Sequence, residues 1–237
     1  SYRVLKEDCL DLPAYTYQKR IIQLTPEQQK LYDQMKRMAL AIQDGETMST
    51  ATALVQLMRL QQITCGHFKS DTGKVTEIKN DRVNALIDVL NEAQGKVVIW
   101  AHWRNDIATI VKHVKKTFGD KSYVTYYGDT STDDRQKAIK QIQDPKSEVR
   151  FIIGTPQTGG YGITLTEADT MVYYSNGYDL EKRTQSEARI NRIGQKRKMT
   201  YVDIICEKTV DERIVKALRK KINIANQIMG EELKDWI

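Results

Sequence analysis

Val97-Val98-Ile99-Trp100-Ala101 is the longest unbroken apolar run in the chain, and the fold turns on how it is read. A helix needs about 20 such residues to cross a bilayer, so this run does not span a membrane. A short segment that is apolar at every position reads instead as a strand buried on both faces. On either side the period changes. Val83, Leu86, Ile87 and Leu90 upstream, and Ile107, Ile110, Val111, Val114 and Phe118 downstream, recur at helical spacing. The alternation continues with a strand at 123–127, a helix over 131–143, and strands at 149–153 and 170–174. A helix over 180–193, a strand at 201–206 and a long closing helix over 210–229 follow. Short strands separated by helices predict an α/β fold, a parallel sheet with helices on both faces.

The first 70 residues read differently. A strand-like stretch at 20–24 precedes Thr25-Pro26-Glu27-Gln28, which offers an N-cap, a proline at the first helical position and a reciprocating Gln. Leu31, Met35, Met38 and Ile42 then mark a helix over 26–43, and Leu54, Leu57, Leu60 and Ile63 a second over 50–64. The expected division is a linker with a small helical protrusion over 1–70 and the main lobe over 71–237. Residues 66–79, polar and containing Asp71-Thr72-Gly73-Lys74, read as a loop.

Composition narrows the function classes. The chain has 237 residues, of which 37 are Lys or Arg and 31 Asp or Glu, a net charge of +6 that mildly favours a polyanionic partner. At 40% hydrophobic residues it can bury a sizeable core. Cys9, Cys65 and Cys206 form no C-x-x-C pair, and Cys65-Gly66-His67 has no second ligand pair, so neither a disulfide framework nor a metal site is expected. That points to a reducing compartment such as the cytoplasm. The start carries no signal-peptide pattern, and no membrane segment is expected.

In parallel sheets ligands lie in the loops at the carboxyl ends of strands. After the strand at 149–153 comes Gly154-Thr155-Pro156-Gln157-Thr158-Gly159-Gly160-Tyr161-Gly162-Ile163-Thr164-Leu165, whose glycines and hydroxyls let a phosphate approach closely. Gly160-Tyr161 stands where a P-loop requires Lys-Ser/Thr, so this loop is no triphosphate cradle; an ordinary glycine-rich turn explains it equally well. Tyr127-Gly128-Asp129-Thr130-Ser131 also joins a strand to a helix, where Thr130 or Ser131 serves as N-cap or phosphate contact. Trp103 and Arg104 follow the central strand. Gln185, Arg189 and Arg192 fall at i, i+4 and i+7, which on a helix over 180–193 presents an amide and two guanidiniums on one face. Guanidinium forks suit phosphate, although Asp179, Glu181 and Glu187 leave a salt-bridged surface as the alternative.

In order and spacing these segments resemble the second RecA-like lobe of Swi/Snf-type ATPases within the superfamily-two helicases. Gly128, Thr130 and Arg135 resemble the family's "G-x-T/S … R" segment, and residues 154–169 its "S-T-x-A-G-G-x-G-I-N-L-x-x-A-D". Gln185-x-x-x-Arg189-x-x-Arg192-x-Gly194-Gln195 matches its final motif, and Thr209-Val210-Asp211-Glu212 resembles "T-x-E-E". Leu57-Met58-Arg59-Leu60-Gln61 with Cys65 and His67 resembles its helical "L-R-x-x-C-x-H-P" region. Thr164 in place of Asn, Ser175-Asn176-Gly177 near the usual "W-N-P", and no proline after His67 depart from the pattern. They direct the expectation towards a bacterial or phage branch.

The resemblance implies half of a motor. ATP and Mg2+ would be held mainly by a first lobe preceding Ser1, with Arg189 and Arg192 entering the cleft as arginine fingers, Gln185 assisting, and Gly162 and Thr164 bordering the nucleotide. Arg104, Gly128, Thr130, Thr155, Gln157, Thr158 and Gly159 would grip one strand of double-stranded DNA through its phosphates. With no Walker lysine or DEAH-like acids, the chain alone is expected to hydrolyse no ATP. Two other readings are a nucleic-acid-binding or protein-docking module without ATPase activity, and an RNA helicase lobe.

Overall fold

The computed structural model describes residues 12–45, 50–70, 72–159 and 162–220. In chain order the elements are β1 (Tyr15–Ile22), α1 (Pro26–Gly45), α2 (Thr50–Thr64), β2 (His67–Lys69), β3 (Val75–Glu77), α3 (Arg82–Glu92), β4 (Lys96–Trp100) and α4 (Arg104–Phe118). There follow β5 (Tyr123–Tyr126), α5 (Thr132–Gln143), β6 (Phe151–Gly154), α6 (Pro156–Gly159), β7 (Ala168–Tyr173), α7 (Leu180–Glu187), β8 (Met199–Cys206) and α8 (Val210–Arg219). Two compact units are assembled from interleaved segments: Ser1–Lys19, Leu86–Tyr174 and Glu181–Asp203 form one, and Arg20–Ala85, Ser175–Leu180 and Ile204–Ile237 the other.

The first unit is built on a six-stranded sheet of order β1-β8-β7-β4-β6-β5. β4 pairs in parallel with β6 and β7, β5 with β6, and β7 with β8. β1 runs the same way beside β8, since Met199 N donates to Ala14 O at 3.0 Å and Glu207 N to Ile22 O at 2.8 Å. The strand expected at 20–24 thus begins earlier and forms an edge of the main sheet. β4, the apolar run that decided the fold, lies inside the sheet with Val97, Val98, Ile99 and Trp100 all fully buried. Successive side chains alternate faces, so both faces of the strand are covered. On one face Val98 and Trp100 join Ile152, Met171, Tyr173 and Tyr201 in a core closed by Ile142 of α5. α4 buries Ile107, Ile110 and Val114. Each such side chain contributes roughly 1.5–3 kcal/mol relative to exposure. Gly154 ends β6 where a Cβ would stand 2.0 Å from the Tyr126 carbonyl oxygen, so the close strand approach there admits only glycine.

The second unit packs α1, α2 and α8 around Tyr32, Leu57, Leu60, Ile63, Ile214 and Leu218. The predicted capping box forms: Gln28 N donates to Thr25 Oγ1 at 3.3 Å and Thr25 N to Gln28 Oε1 at 3.1 Å. Gln28 Nε2 also donates to Ile63 O at 2.7 Å, which fastens the start of α1 to the end of α2. Residues 66–79 hold an antiparallel hairpin of β2 and β3 rather than a plain loop, with His67 opposite Glu77. Three-residue strands are too short to leave an alternating pattern in sequence. The turn closes through Ser70 N to Lys74 O at 2.9 Å, with Gly73 at φ +84°.

A buried ion pair stands at the centre of this unit. Arg82 and Asp211, 1% and 4% exposed, form a close salt bridge. The guanidinium also donates to Thr64 O at 3.2 Å, Ile204 O at 2.7 Å and Cys206 Sγ at 3.4 Å. Asp211 accepts from Thr64 Oγ1 at 3.0 Å and Cys206 N at 3.1 Å. Burial, reinforced by neighbouring Arg82, lowers His67 to about 4 and keeps it neutral. Burial pushes the Cys206 thiol up to about 12, so it stays protonated. Cys65 and Cys206 are free thiols; Cys9 and the predicted extension of the closing helix to Met229 lie outside the described residues. Among the described residues no helix is long and apolar enough to cross a membrane, and no three His, Cys, Asp or Glu side chains could together hold a metal ion.

Candidate functional site

The loops singled out in sequence leave the carboxyl ends of β4, β6 and β5, three neighbouring parallel strands, so they open at one edge of the sheet. At β4, Arg104 opens α4 and reaches across to Asp129 at 3.1 Å, with both side chains largely exposed. A Cβ on Gly128 would lie 3.6 Å from Arg104 Nη2, which places Arg104 beside the 127–131 turn. Within that turn Ser131, not Thr130, is the N-cap of α5: its Oγ accepts from Asp134 N at 3.2 Å. Thr130 instead folds back, its Oγ1 accepting from Tyr127 N at 3.2 Å.

Arg135, to which its position in the sequence assigns no role, shapes this turn. Its Nη2 donates to Tyr127 O at 3.0 Å and to Gly128 O at 3.1 Å, and its guanidinium lies 5.8 Å from the centre of the Tyr126 ring. A groove of about 510 Å³ runs alongside, lined by Tyr127, Asp129, Thr130, Asp134 and Lys137. At β6, Thr155 is buried and shares a 2.8 Å hydrogen bond between hydroxyls with Thr158. Thr158 N donates to Thr155 Oγ1 at 3.3 Å, which starts the single turn α6, and Gln157 is exposed. Gly159 ends that turn, and Gly160 and Tyr161 lie outside the described residues.

The arginines are not on one helix face. α7 stops at Glu187, and residues 188–194 unwind into turns. Ala188 N still reaches Thr184 O at 3.1 Å, but Arg189 N turns to Ser186 O at 3.1 Å and Arg192 N to Ile190 O at 3.1 Å. The helical expectation fails because Arg189 O is taken by Leu165 N at 2.9 Å, a bond from another segment that pulls the backbone out of helical register. Gln185 accordingly shares no helix face with the arginines and bonds Glu181 Oε1 on α7 at 2.8 Å. Burial, and then Arg192, hold the Arg189 guanidinium below its ordinary range; it keeps its charge.

The structure does bring Arg192 to the 162–165 segment. Its Nη1 donates to Thr164 Oγ1 at 3.3 Å and to Ile163 O at 3.4 Å. Thr164, the departure from Asn, therefore still gives this arginine an oxygen acceptor. Gly162, two residues earlier, has φ +66°, a backbone that L side chains rarely adopt. The turn closes through Gln195, the last residue of the motif. It is 6% exposed; Nε2 donates to Ala168 O at 2.9 Å and Ile190 O at 3.3 Å, while Oε1 accepts from Lys196 N and Arg197 N. Its full set of hydrogen bonds makes it the clasp of the turn. His102, beside Trp103 at a 4.6 Å ring separation, is lowered by burial, and then by Lys182, to about 4 and stays neutral.

Comparisons with known proteins bear on the family and the fold. Residues 79–194 match the helicase conserved C-terminal domain. The SWI/SNF chromatin-remodeling complex subunit snf22 of Schizosaccharomyces pombe is 26% identical over 245 residues, which covers 96% of this chain and 14% of that protein. An uncharacterized ATP-dependent helicase of Mycoplasma pneumoniae is 24% identical over 240 residues, covering 98% of this chain and 22% of that protein. The chain thus spans less than a quarter of either relative, and a yeast and a bacterium match about equally well, so the similarity carries no lineage. The Sulfolobus solfataricus SWI2/SNF2 ATPase core in complex with dsDNA superposes with a TM-score of 0.74 at 23% identity, over 98% of this chain and 52% of that one. The chain thus carries a match to the helicase C-terminal domain over residues 79–194, is similar in sequence to Swi/Snf-type helicases, and has the RecA-like fold of their C-terminal lobe.

Proposed function

We propose that this chain is the second motor lobe of an ATP-dependent double-stranded DNA translocase. The observation that carries this reading is the arginine turn: Arg192 is exposed, yet its guanidinium leans on Ile163 O and Thr164 Oγ1 and its backbone is clasped by Gln195. A cation held forward on a fixed scaffold suits the charge that develops on a transferring phosphoryl group. ATP with Mg2+ binds mainly to a first lobe of the parent protein, and this chain, without a Walker lysine, hydrolyses nothing alone. Arg189 and Arg192 act as fingers, with Gln185 assisting from the end of α7 and Gly162 and Thr164 bordering the nucleotide.

Arg104, Gly128, Thr130, Thr155, Gln157, Thr158 and Gly159, on the loops of three adjacent strand ends, take one DNA strand by its phosphates. Hydroxyls and backbone N–H groups carry no base code, so the grip ignores sequence. Residues 1–70 supply the linker and helical protrusion and 71–237 most of the lobe, with β1 lent to the sheet of the lobe and α8 packed with the helices of the protrusion. The protein works where duplex DNA meets a reducing milieu: cytoplasm, nucleoid or nucleus.

Binding of duplexes of unrelated sequence to the full-length protein tests the grip. Affinities are expected to agree within about threefold, and log K to fall with log salt at a slope near −3, for about three neutralised phosphates. Arg104→Ala is expected to flatten that slope by about 1 without creating a sequence preference. A strong sequence preference, salt-independent binding or tighter binding of duplex RNA would contradict it.

A further inference from the structure

Glu187 is the last residue of α7, directly before the arginine turn, and four groups converge on it. Its carboxylate accepts from Arg183 Nε at 2.7 Å on Oε1 and from the Tyr17 hydroxyl at 2.8 Å on Oε2. Its carbonyl oxygen accepts from the Tyr201 hydroxyl at 3.1 Å and from Asn191 N at 3.3 Å, and Asn191 is inside the turn itself. The groups that hold it are themselves fixed. Arg183 is buried, its fork spans both oxygens of fully buried Asp203 at 2.6 and 3.3 Å, and it lies 3.4 Å from the centre of the Tyr173 ring. Tyr17 stacks on Tyr201 with ring centres 5.2 Å apart. Burial, and then Glu187, push the Tyr17 hydroxyl above its ordinary range, so it remains a donor at any working pH.

Through these bonds the carboxylate ties the point where α7 unwinds to β1 by Tyr17 and, by way of Arg183, to Tyr173 of β7 and Asp203 of β8, while the Glu187 carbonyl adds Tyr201 of β8. Two residues further on, the chain is caught again where Leu165 N meets Arg189 O. We propose that Glu187 is a positioning residue for the arginine turn, fixing where α7 ends and hence where Arg189 and Arg192 stand. The inference rests on reading those arginines as transition-state fingers. A displacement of about 1 Å at such a group costs on the order of 10²-fold in rate while leaving ground-state binding little changed.

The test uses the full-length protein in duplex-stimulated ATP turnover, with hydrogen exchange of amides 188–195 measured on the same variants. Glu187→Ala is expected to lower kcat between about 10- and 100-fold with the ATP KM and duplex affinity within about threefold, and to speed exchange across the turn. Glu187→Gln can still accept from Arg183 and can donate to the Tyr17 oxygen, so it is expected to restore kcat to within about fivefold of the native value. Tyr17→Phe removes one bond only and should fall between the two, which keeps the test open if Glu187→Ala does not fold. Arg192→Ala is run beside them. Normal turnover in Arg192→Ala overturns the finger reading, whereas a dead Arg192→Ala beside a Glu187→Ala of native kcat overturns the positioning role. Native exchange across 188–195 in Glu187→Ala overturns it as well, whatever the turnover shows.

Discussion

Arg192→Ala in the full-length protein is expected to lower duplex-stimulated ATP turnover by about 10³-fold or more and to leave DNA affinity almost unchanged. The size follows from the place of the side chain. An arginine finger neutralises charge present only in the transition state, and such groups contribute on the order of 10³–10⁵ in rate. The loss therefore falls on kcat and not on the ATP KM. Its specificity follows from the fold. Arg192 makes two long hydrogen bonds, at 3.3 and 3.4 Å, to Thr164 and Ile163, and its side chain is exposed, so its removal takes little from the core. The proposed grip stands on other loops, at the ends of β4, β5 and β6. Steady-state turnover and duplex binding on one preparation check both halves. Turnover within a few-fold of native would remove Arg192 from the chemistry.

The second large effect concerns stability. Arg82→Met is expected to destabilise the unit containing α1, α2 and α8 by about 3–5 kcal/mol, because it leaves the Asp211 carboxylate buried without its counter-charge. Three further acceptors, Thr64 O, Ile204 O and Cys206 Sγ, lose a donor in the same step. Native-state hydrogen exchange reads this locally: protection of amides in Leu57–Thr64 and Val210–Leu218 is expected to drop by about two to four orders of magnitude. Asp211→Asn combined with Arg82→Met removes the stranded charge and is expected to cost clearly less than the sum of the two single changes. Unchanged protection in Arg82→Met would show that the pair adds nothing to this unit.

The sheet was legible because it rests on short-range pattern. A five-residue apolar run between two helical periods admits few structures, and β4 lies inside the sheet, as that run requires. Thr25 to Gln28 announced the start of α1 because a capping box is a local device. What stayed hidden was set at a distance. The arginine motif reads as helical by spacing, yet Leu165 takes the Arg189 carbonyl from 24 positions away and the helix stops at Glu187. Asp211 looks in sequence like an acid favouring a helix N-terminus, and only the fold brings Arg82 to it. Arg135 and Gln195 stand within the motifs, and Glu187 among the acids beside the arginines. Their work is to fill backbone acceptors and donors contributed by other segments, and spacing alone does not encode that.

The central claim is that this lobe completes a motor driven by duplex DNA, and ATP turnover by the full-length protein with and without duplex DNA tests it most directly. The account predicts turnover that is slow alone, rises by at least about tenfold with duplex of any sequence, and disappears in Arg192→Ala. Turnover indifferent to every nucleic acid, or equally fast in the Arg192→Ala protein, would contradict it and leave a helicase-like fold put to another use.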